Sequence, residues 1–395
     1  MTATYLDHAA TTVVREEVAH AYAEDLRRLG NPSSTHAFGR EARRVVEESR
    51  EQVAADLGAH PTEVIFTAGG TEADNLAVVG AFHAAAAAGV SRRAVAISAI
   101  EHHAVLDAAH WLGTAQGAEV TELGVDGQGV LDPDALTAYL AVAGERTAVV
   151  ALMWANNETG AIQPVEQAVA ACSAAGVPVH SDAVQAVGHL PIDFASSGLT
   201  TLALSGHKIG APVGVGALLA RRDAALQPIL HGGGQERGIR SGTLDAAGAR
   251  ALALAVRHAS AEREREHARL AALRDKLQVG VLTAIPDATA HAAGADRLPG
   301  HLLVTIPGTD ADAVLFGLDT AGIAASSGSA CTAGVTQPSH VLLAMGADVR
   351  TARSAVRLTL GRTSIDADVD HLLATLPAVV ERARAAHRVP AVSAR

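Results

Sequence analysis

Short apolar runs and longer stretches of helical period alternate along most of this chain. Largely apolar runs fall at residues 64–67, 94–98, 147–154, 177–180 and 200–204, and a shorter mixed run with β-branched residues at 119–123 joins them. Between them, at 71–88, 102–116, 133–142 and 165–175, apolar positions recur with a helical spacing. The first set predicts strands and the second predicts helices. Strands and helices in this rhythm predict βαβ units and a mostly parallel sheet. Most of the runs are apolar throughout, which predicts strands covered on both faces. Residues 214–220 predict one added antiparallel strand. Upstream, residues 5–12 form an N-terminal arm, and helices are predicted at 15–29, stopping at Gly30, and at 38–57, stopping at Gly58.

The rhythm changes after His231-Gly232-Gly233-Gly234. A long helical tract covers 244–279. Strands are then predicted at 301–306, 323–325 and 356–360, and helices at 311–319, 339–345 and 369–385. The expected organisation is an arm at 1–14, a large α/β domain at 15–261 and a smaller α+β domain at 262–395. A chain of 395 residues is long enough for two such cores.

Charge and composition exclude several classes. The net charge of -11 argues against a general binder of nucleic acid or of an anionic membrane. The opening residues show neither a basic region nor an apolar core of a signal peptide, and no apolar run is long enough to span a bilayer. Two separated cysteines, Cys172 and Cys331, make neither a disulfide framework nor a zinc ligand set. A cytoplasmic protein without a resident metal is expected.

Lysine usage then singles out one stretch. The chain holds two lysines, Lys208 and Lys276, against 29 arginines. Arginine can replace lysine wherever only charge is needed, but its guanidinium cannot act as a neutral amine. Lys276 lies on an amphipathic helical run and reads as a solvated face. Lys208 lies in Ser205-Gly206-His207-Lys208, directly after an apolar run, and points to capture of a carbonyl group. A plain loop lysine is the alternative.

Ligands of open α/β sheets bind beyond the carboxyl ends of the strands. Those ends carry Gly69-Gly70-Thr71, Glu101-His102-His103, Asn156-Asn157-Glu158, Asp182 with Gln185, and Ser205 with His207 and Lys208. Pyridoxal 5′-phosphate (PLP) needs such a set: an amine for its aldehyde, a carboxylate for its ring nitrogen and donors for its phosphate. Gly70 and Thr71 open a helix whose positive end suits a phosphate, with Thr71 as the expected N-cap, although most such turns are simple caps. Asp182 fits the ring nitrogen, or a cap or ion pair. His102 fits a stacking role, or a helix-terminal histidine. Asn157 and Gln185 fit the ring hydroxyl, or serve as loop amides.

Two residues stand outside this set. Cys331 lies in a run of small residues, 326–334, that reads as a loop with an accessible thiol, whereas Cys172 lies in an apolar helix and reads as buried. Arg357 sits inside an apolar strand, which is costly unless it meets an anion. Capture of a substrate carboxylate fits it, and a structural ion pair is the alternative.

These motifs together resemble the NifS/IscS-type cysteine desulfurases of the class V aminotransferase group, and most closely the actinobacterial members. The resemblance covers nearly the whole chain. It rests on Tyr5-Leu6-Asp7-His8-Ala9-Ala10-Thr11-Thr12, Gly30-Asn31-Pro32-Ser33-Ser34, Thr67-Ala68-Gly69-Gly70-Thr71-Glu72 and Glu101-His102-His103. It continues through Asn156-Asn157-Glu158-Thr159-Gly160, Ser205-Gly206-His207-Lys208, Gln235-Glu236-Arg237, Arg240-Ser241-Gly242-Thr243, Ser329-Ala330-Cys331-Thr332 and Pro338-Ser339-His340.

The resemblance implies a PLP-dependent transferase of fold type I, with a large domain around a mostly parallel seven-stranded sheet and a smaller α+β domain. It implies that Lys208 bonds PLP, that Asp182 pairs with the ring nitrogen, and that His102 stacks and moves protons. Gly70, Thr71, Ser205 and His207 would hold the phosphate, with Thr243 supplied across a homodimer. Asn157 and Gln185 would touch the ring oxygen, and Arg357 with Asn157 the substrate carboxylate. Cys331 would take sulfur from L-cysteine as a persulfide, leaving L-alanine. The sulfur would pass to an acceptor protein serving Fe–S assembly or tRNA thiolation, where Cys331 could meet a cluster on a scaffold. A selenocysteine lyase or another class V enzyme that does without Cys331 is the alternative, and a scaffold that has lost PLP is a third.

Overall fold

The apolar runs meet in one sheet. A computed structural model describes residues 3–89, 92–328, 331–332 and 335–388, with residues 331, 332, 335, 336, 387 and 388 described by backbone alone. The sheet strands are β1 (Val64–Thr67), β2 (Ala94–Ser98), β3 (Glu119–Leu123), β4 (Thr147–Ala151), β5 (Val179–Asp182), β6 (Thr201–Ser205) and β7 (Gly216–Ala220). Their lateral order is β1-β7-β6-β5-β4-β2-β3. β7 runs antiparallel to both of its neighbours, and every other pair is parallel. All residues of every strand but β3 are buried. β3 is the outer edge, and its two glutamates keep that edge charged, which discourages further pairing.

Helices cover both faces: α1 (Glu16–Asp25), α2 (Ala37–Asp56), α3 (Gly70–Ala87), α4 (His103–Gln116), α5 (Pro133–Ala143) and α6 (Val165–Ala174). α1 stops earlier than its pattern suggests. A further turn would carry Leu26 and Leu29, which are 62% and 78% exposed with no apolar surface to meet. Gly30 is therefore no helix cap, whereas Gly58, at φ +63°, does follow α2 as expected. The start of α3 also departs from expectation. Gly69, at φ +148°, is the N-cap, so Thr71 lies inside the first turn. Only glycine adopts that φ readily, and the Glu72 carboxylate accepts the Ala68 N–H at 2.6 Å in place of a capping side chain.

α7 (Ala246–Ala284) is 39 residues long and serves two cores. Its first half buries alanines from Ala247 to Ala259 against the sheet layer. Its second half buries Leu270, Leu273, Leu277 and Val281, one face at helical spacing, in a second core with Leu302, Val304, Leu358 and Leu372. That core lies on an antiparallel sheet of β8 (Thr289–Ala290), β9 (His301–Thr305) and β10 (Ala355–Thr359), packed by α8 (Ala311–Thr320) and α9 (Asp366–Arg388). The arm joins this C-terminal layer, since Thr4–Tyr5 pairs in parallel with Ile323–Ala324. A short helix, Val349–Arg353, has too few residues to show a period in the sequence. Cys331–Thr332 pairs antiparallel with Val335–Thr336, a small hairpin where a plain loop was expected. Ser329, Ala330, Ala333 and Gly334 lie outside the described residues.

A buried ion pair fastens the glycine-rich loop after His231 to the head of β1. Arg50 of α2 donates to both oxygens of Glu236, at 2.6 and 2.9 Å, and Glu236 also accepts the Phe66 N–H at 2.7 Å. Removing one member leaves an uncompensated buried charge. Glu236→Ala is expected to lower the unfolding free energy in urea by about 3–5 kcal/mol. A loss below about 1 kcal/mol, the size of an exposed pair, would contradict that.

Candidate active site

The carboxyl ends of β1, β2, β4, β5 and β6 open on a single cleft of about 400 Å³. β1 delivers Gly70 and Thr71, β2 delivers His102, and β4 delivers Asn157 and Glu158. β5 delivers Asp182 and Gln185, and β6 delivers Ser205, His207 and Lys208. Ala9 and Ala10 of the arm close one side, and Ser326, Gly328, His340 and Arg357 of the C-terminal layer close another. Ten of the residues singled out in the sequence thus share one cavity. Thr243 does not. It is exposed in the loop before α7 and does not line the cleft of its own chain. The Cys331 side chain lies outside the description, but the segments on either side of its hairpin line the cleft.

Lys208 ends a single turn, Gly206–Lys208, immediately after β6. Its Nζ donates to the carbonyls of Ala9 and Ala10, at 2.6 and 2.8 Å. Burial pushes the ammonium down to about 8, and the nearby Arg357 cation adds to that. The amine is thereby closer to its neutral, reactive form near neutral pH. Gln185 donates to the same Ala9 carbonyl at 3.0 Å, so here it acts as a loop-fixing amide.

Asp182 is the last residue of β5, and the Val184 N–H donates to one of its oxygens at 2.8 Å. Two residues back on the same strand, His180 shares its face. The His180 ring meets Asp74 of α3 at 3.1 Å and Thr201 of β6 at 3.0 Å. Burial drives His180 down to about 3, so its imidazole is neutral. Asp74 is raised by burial and then by the neighbouring Asp182 and Glu101. Glu101, wholly buried, is pushed up to about 8 by burial. Burial raises Asp182 too, against the pull of His102 and Lys208.

His102 is the N-cap of α4, and its Nδ1 accepts the Ala104 N–H at 3.1 Å. That bond fixes the ring at the cleft wall and makes His102 the helix-terminal histidine that its position suggested. Burial lowers it, which leaves a neutral base. Arg357 donates to Asp7 at 2.7 Å and to the Asn157 carbonyl at 3.0 Å, while its buried Nε has no partner among the described residues. The ion-pair expectation for Arg357 is therefore realised through Asp7. The sequence pattern gave no sign of that pairing, nor of the Asp74–His180–Thr201 chain.

The residues present fit PLP. A neutralisable amine and a buried carboxylate face one cavity. The N-terminus of the 18-residue α3 supplies an anion seat beside Ser205 and His207. The seat is tight: a Cβ on Gly70 would come within 2.6 Å of Val184 Cγ2, so only glycine leaves room there.

The family model for aminotransferase class-V matches residues 4–372. The chain belongs to that family. Its members use PLP, the group this cleft fits. The chain is 51% identical to the IscS-like cysteine desulfurase of Mycobacterium tuberculosis over 385 residues, 97% of each chain. It is 42% identical to a cysteine desulfurase of Gluconacetobacter diazotrophicus, across 97% of this chain and 95% of the other. A solved structure of a NifS-like protein superposes with a TM-score of 0.88 at 32% identity, covering 96% of this chain and all of that one.

The depressed Lys208 amine has a measurable consequence. Addition to an aldehyde requires the neutral amine. Loading of PLP onto cofactor-free protein, followed by the growth of visible absorbance, is expected to accelerate with pH around a midpoint of about 8. A midpoint at the ordinary lysine value of 10.5 would contradict the account.

Proposed function

We propose that the chain is a PLP-dependent cysteine desulfurase that converts L-cysteine to L-alanine and takes the sulfur on Cys331 as a persulfide. One juxtaposition carries this reading. The PLP-type cleft around Lys208 and Asp182 is walled by Ser326, Gly328 and His340, the flanks of the hairpin that bears Cys331. The similarity to named cysteine desulfurases along nearly the whole chain supports it.

The cleft lining and the family likeness support a set of roles. Lys208 would hold PLP covalently, and Asp182 would pair with the ring nitrogen. Gly70, Thr71, Ser205 and His207 would hold the phosphate, with Thr243 from a second copy in a homodimer. His102 would stack on the ring and accept a proton. Asn157 and Gln185 would contact the ring oxygen. Arg357, with Asn157, would orient the substrate carboxylate. Bound PLP supplies an electron sink that weakens the Cβ–S bond of the substrate. The Cys331 thiolate forms an S–S bond to the substrate sulfur as that Cβ–S bond breaks, and the released carbon takes up a proton to become alanine.

The persulfide then passes to a cytoplasmic acceptor protein, an Fe–S scaffold or a tRNA-thiolating enzyme. The division into an arm at 1–14 and domains at 15–261 and 262–395 belongs to the same proposal, with α7 crossing the second boundary. Among the described residues no helix is long and apolar enough to cross a membrane.

Replacing the thiol separates this reading from its alternative. Cys331→Ala is expected to cut alanine release from L-cysteine by about 100-fold or more while the visible PLP band persists. Undiminished alanine, or turnover of selenocysteine alone, would favour a lyase that does without Cys331.

A further inference from the structure

Glu158 is wholly buried, and the chemistry proposed above does not use it. Its place is fixed by the turn after β4, where the Asn156 side chain accepts the N–H groups of Glu158 and Thr159, both at 2.9 Å. Asn156 itself is tied to the Ile100 carbonyl at 3.0 Å. A rigid turn therefore aims the carboxylate across the cleft at the C-terminal layer.

Two contacts receive it there. The Ser339 hydroxyl donates to Glu158 Oε2 at 2.5 Å, buried from solvent, and the same oxygen of Ser339 caps the short helix His340–Ala344 by accepting the Leu342 N–H. On the other side Gly328, at φ +80°, leaves room beside the Glu158 side chain, since a Cβ there would come within 3.2 Å of Cγ. Ser326, just before it, is bridged to Arg357 by backbone bonds of 2.6 and 3.2 Å. Gly328 and Ser339 flank the hairpin of Cys331. A single carboxylate of the sheet layer thus meets both ends of the segment that carries the thiol. Burial raises the Glu158 carboxyl, and the Ser339 hydrogen bond and the nearby Arg357 oppose that rise.

We propose that Glu158 is a positioning residue for Cys331: it anchors both ends of the thiol-bearing segment and so sets where that thiol arrives in the cleft. This rests on Cys331 being the sulfur acceptor.

The test uses PLP-loaded, full-length protein with Glu158→Ala, Ser339→Ala and the double variant. Ser339→Ala keeps the carboxylate and stands in should Glu158→Ala misfold. Each single change is expected to speed amide hydrogen exchange at residues 326–328 and 340–343 and to lower kcat for alanine release by about tenfold. That is within the roughly 100-fold that a misplacement of about 1 Å can cost. The visible PLP band and the midpoint of the absorbance change on adding L-alanine stay as in the parent, because neither needs the thiol. The double variant falls no further than the single ones, as expected for one shared contact. Exchange and kcat within about twofold of the parent in Ser339→Ala, or fully additive losses in the double variant, would overturn the proposal. A parent that releases no alanine would count against the desulfurase reading instead, and the exchange measurement would then decide the anchor by itself.

Discussion

A guanidinium withdrawn from water has to be answered by partners, and the way Arg357 is answered holds this site together. It lies inside β10, only 5% exposed. One nitrogen reaches Asp7 in the arm and another reaches the Asn157 carbonyl beyond β4, while its backbone pairs with Ser326 before the Cys331 hairpin. Three segments far apart in the chain thus converge on this one residue. The same cation depresses Lys208, whose amine is held by arm carbonyls two and three residues beyond Asp7. The arm is accordingly part of the cleft wall.

Beneath that charge lies a dry layer in which protonation is settled by burial. Asp74, Glu101 and Asp182 are all buried; burial raises Asp74 and Glu101 first, and Asp182 raises both further. Glu101 is pushed to about 8 and holds its proton at neutral pH. Burial raises Asp182 as well, and it alone among them is pulled back by both His102 and Lys208. His180 contributes no charge and joins Asp74 to Thr201 as a neutral bridge.

Much of this was legible in the residues, for physical reasons. β1, β2 and β3 match their predicted runs to the residue, and β1 and β2 are buried throughout, which leaves an uninterrupted apolar signal. Lys208 announced itself through the scarcity of lysine, and the strand-end rule then brought its neighbours into one cleft. What failed was local stereochemistry and long-range pairing. Thr71 looked like a cap, but φ at Gly69 decides where α3 begins. The fourth turn expected of α1 is missing because Leu26 and Leu29 have no surface to cover. The Asp7–Arg357 and Asp74–His180 contacts join residues 350 and 106 positions apart, and no periodicity encodes them.

The central claim is that substrate sulfur is transferred to Cys331, and peptide mass spectrometry tests it most directly. The chain has two cysteines, and Cys172 is fully buried with its thiol pushed up to about 12, so it serves as an internal control. PLP-loaded protein treated with L-cysteine and no reductant should gain the mass of one sulfur atom on the peptide containing Cys331, with none on the peptide containing Cys172, and the gain should vanish on adding a thiol reductant. Alanine released with no sulfur added at Cys331, or sulfur found on Cys172, would contradict the account.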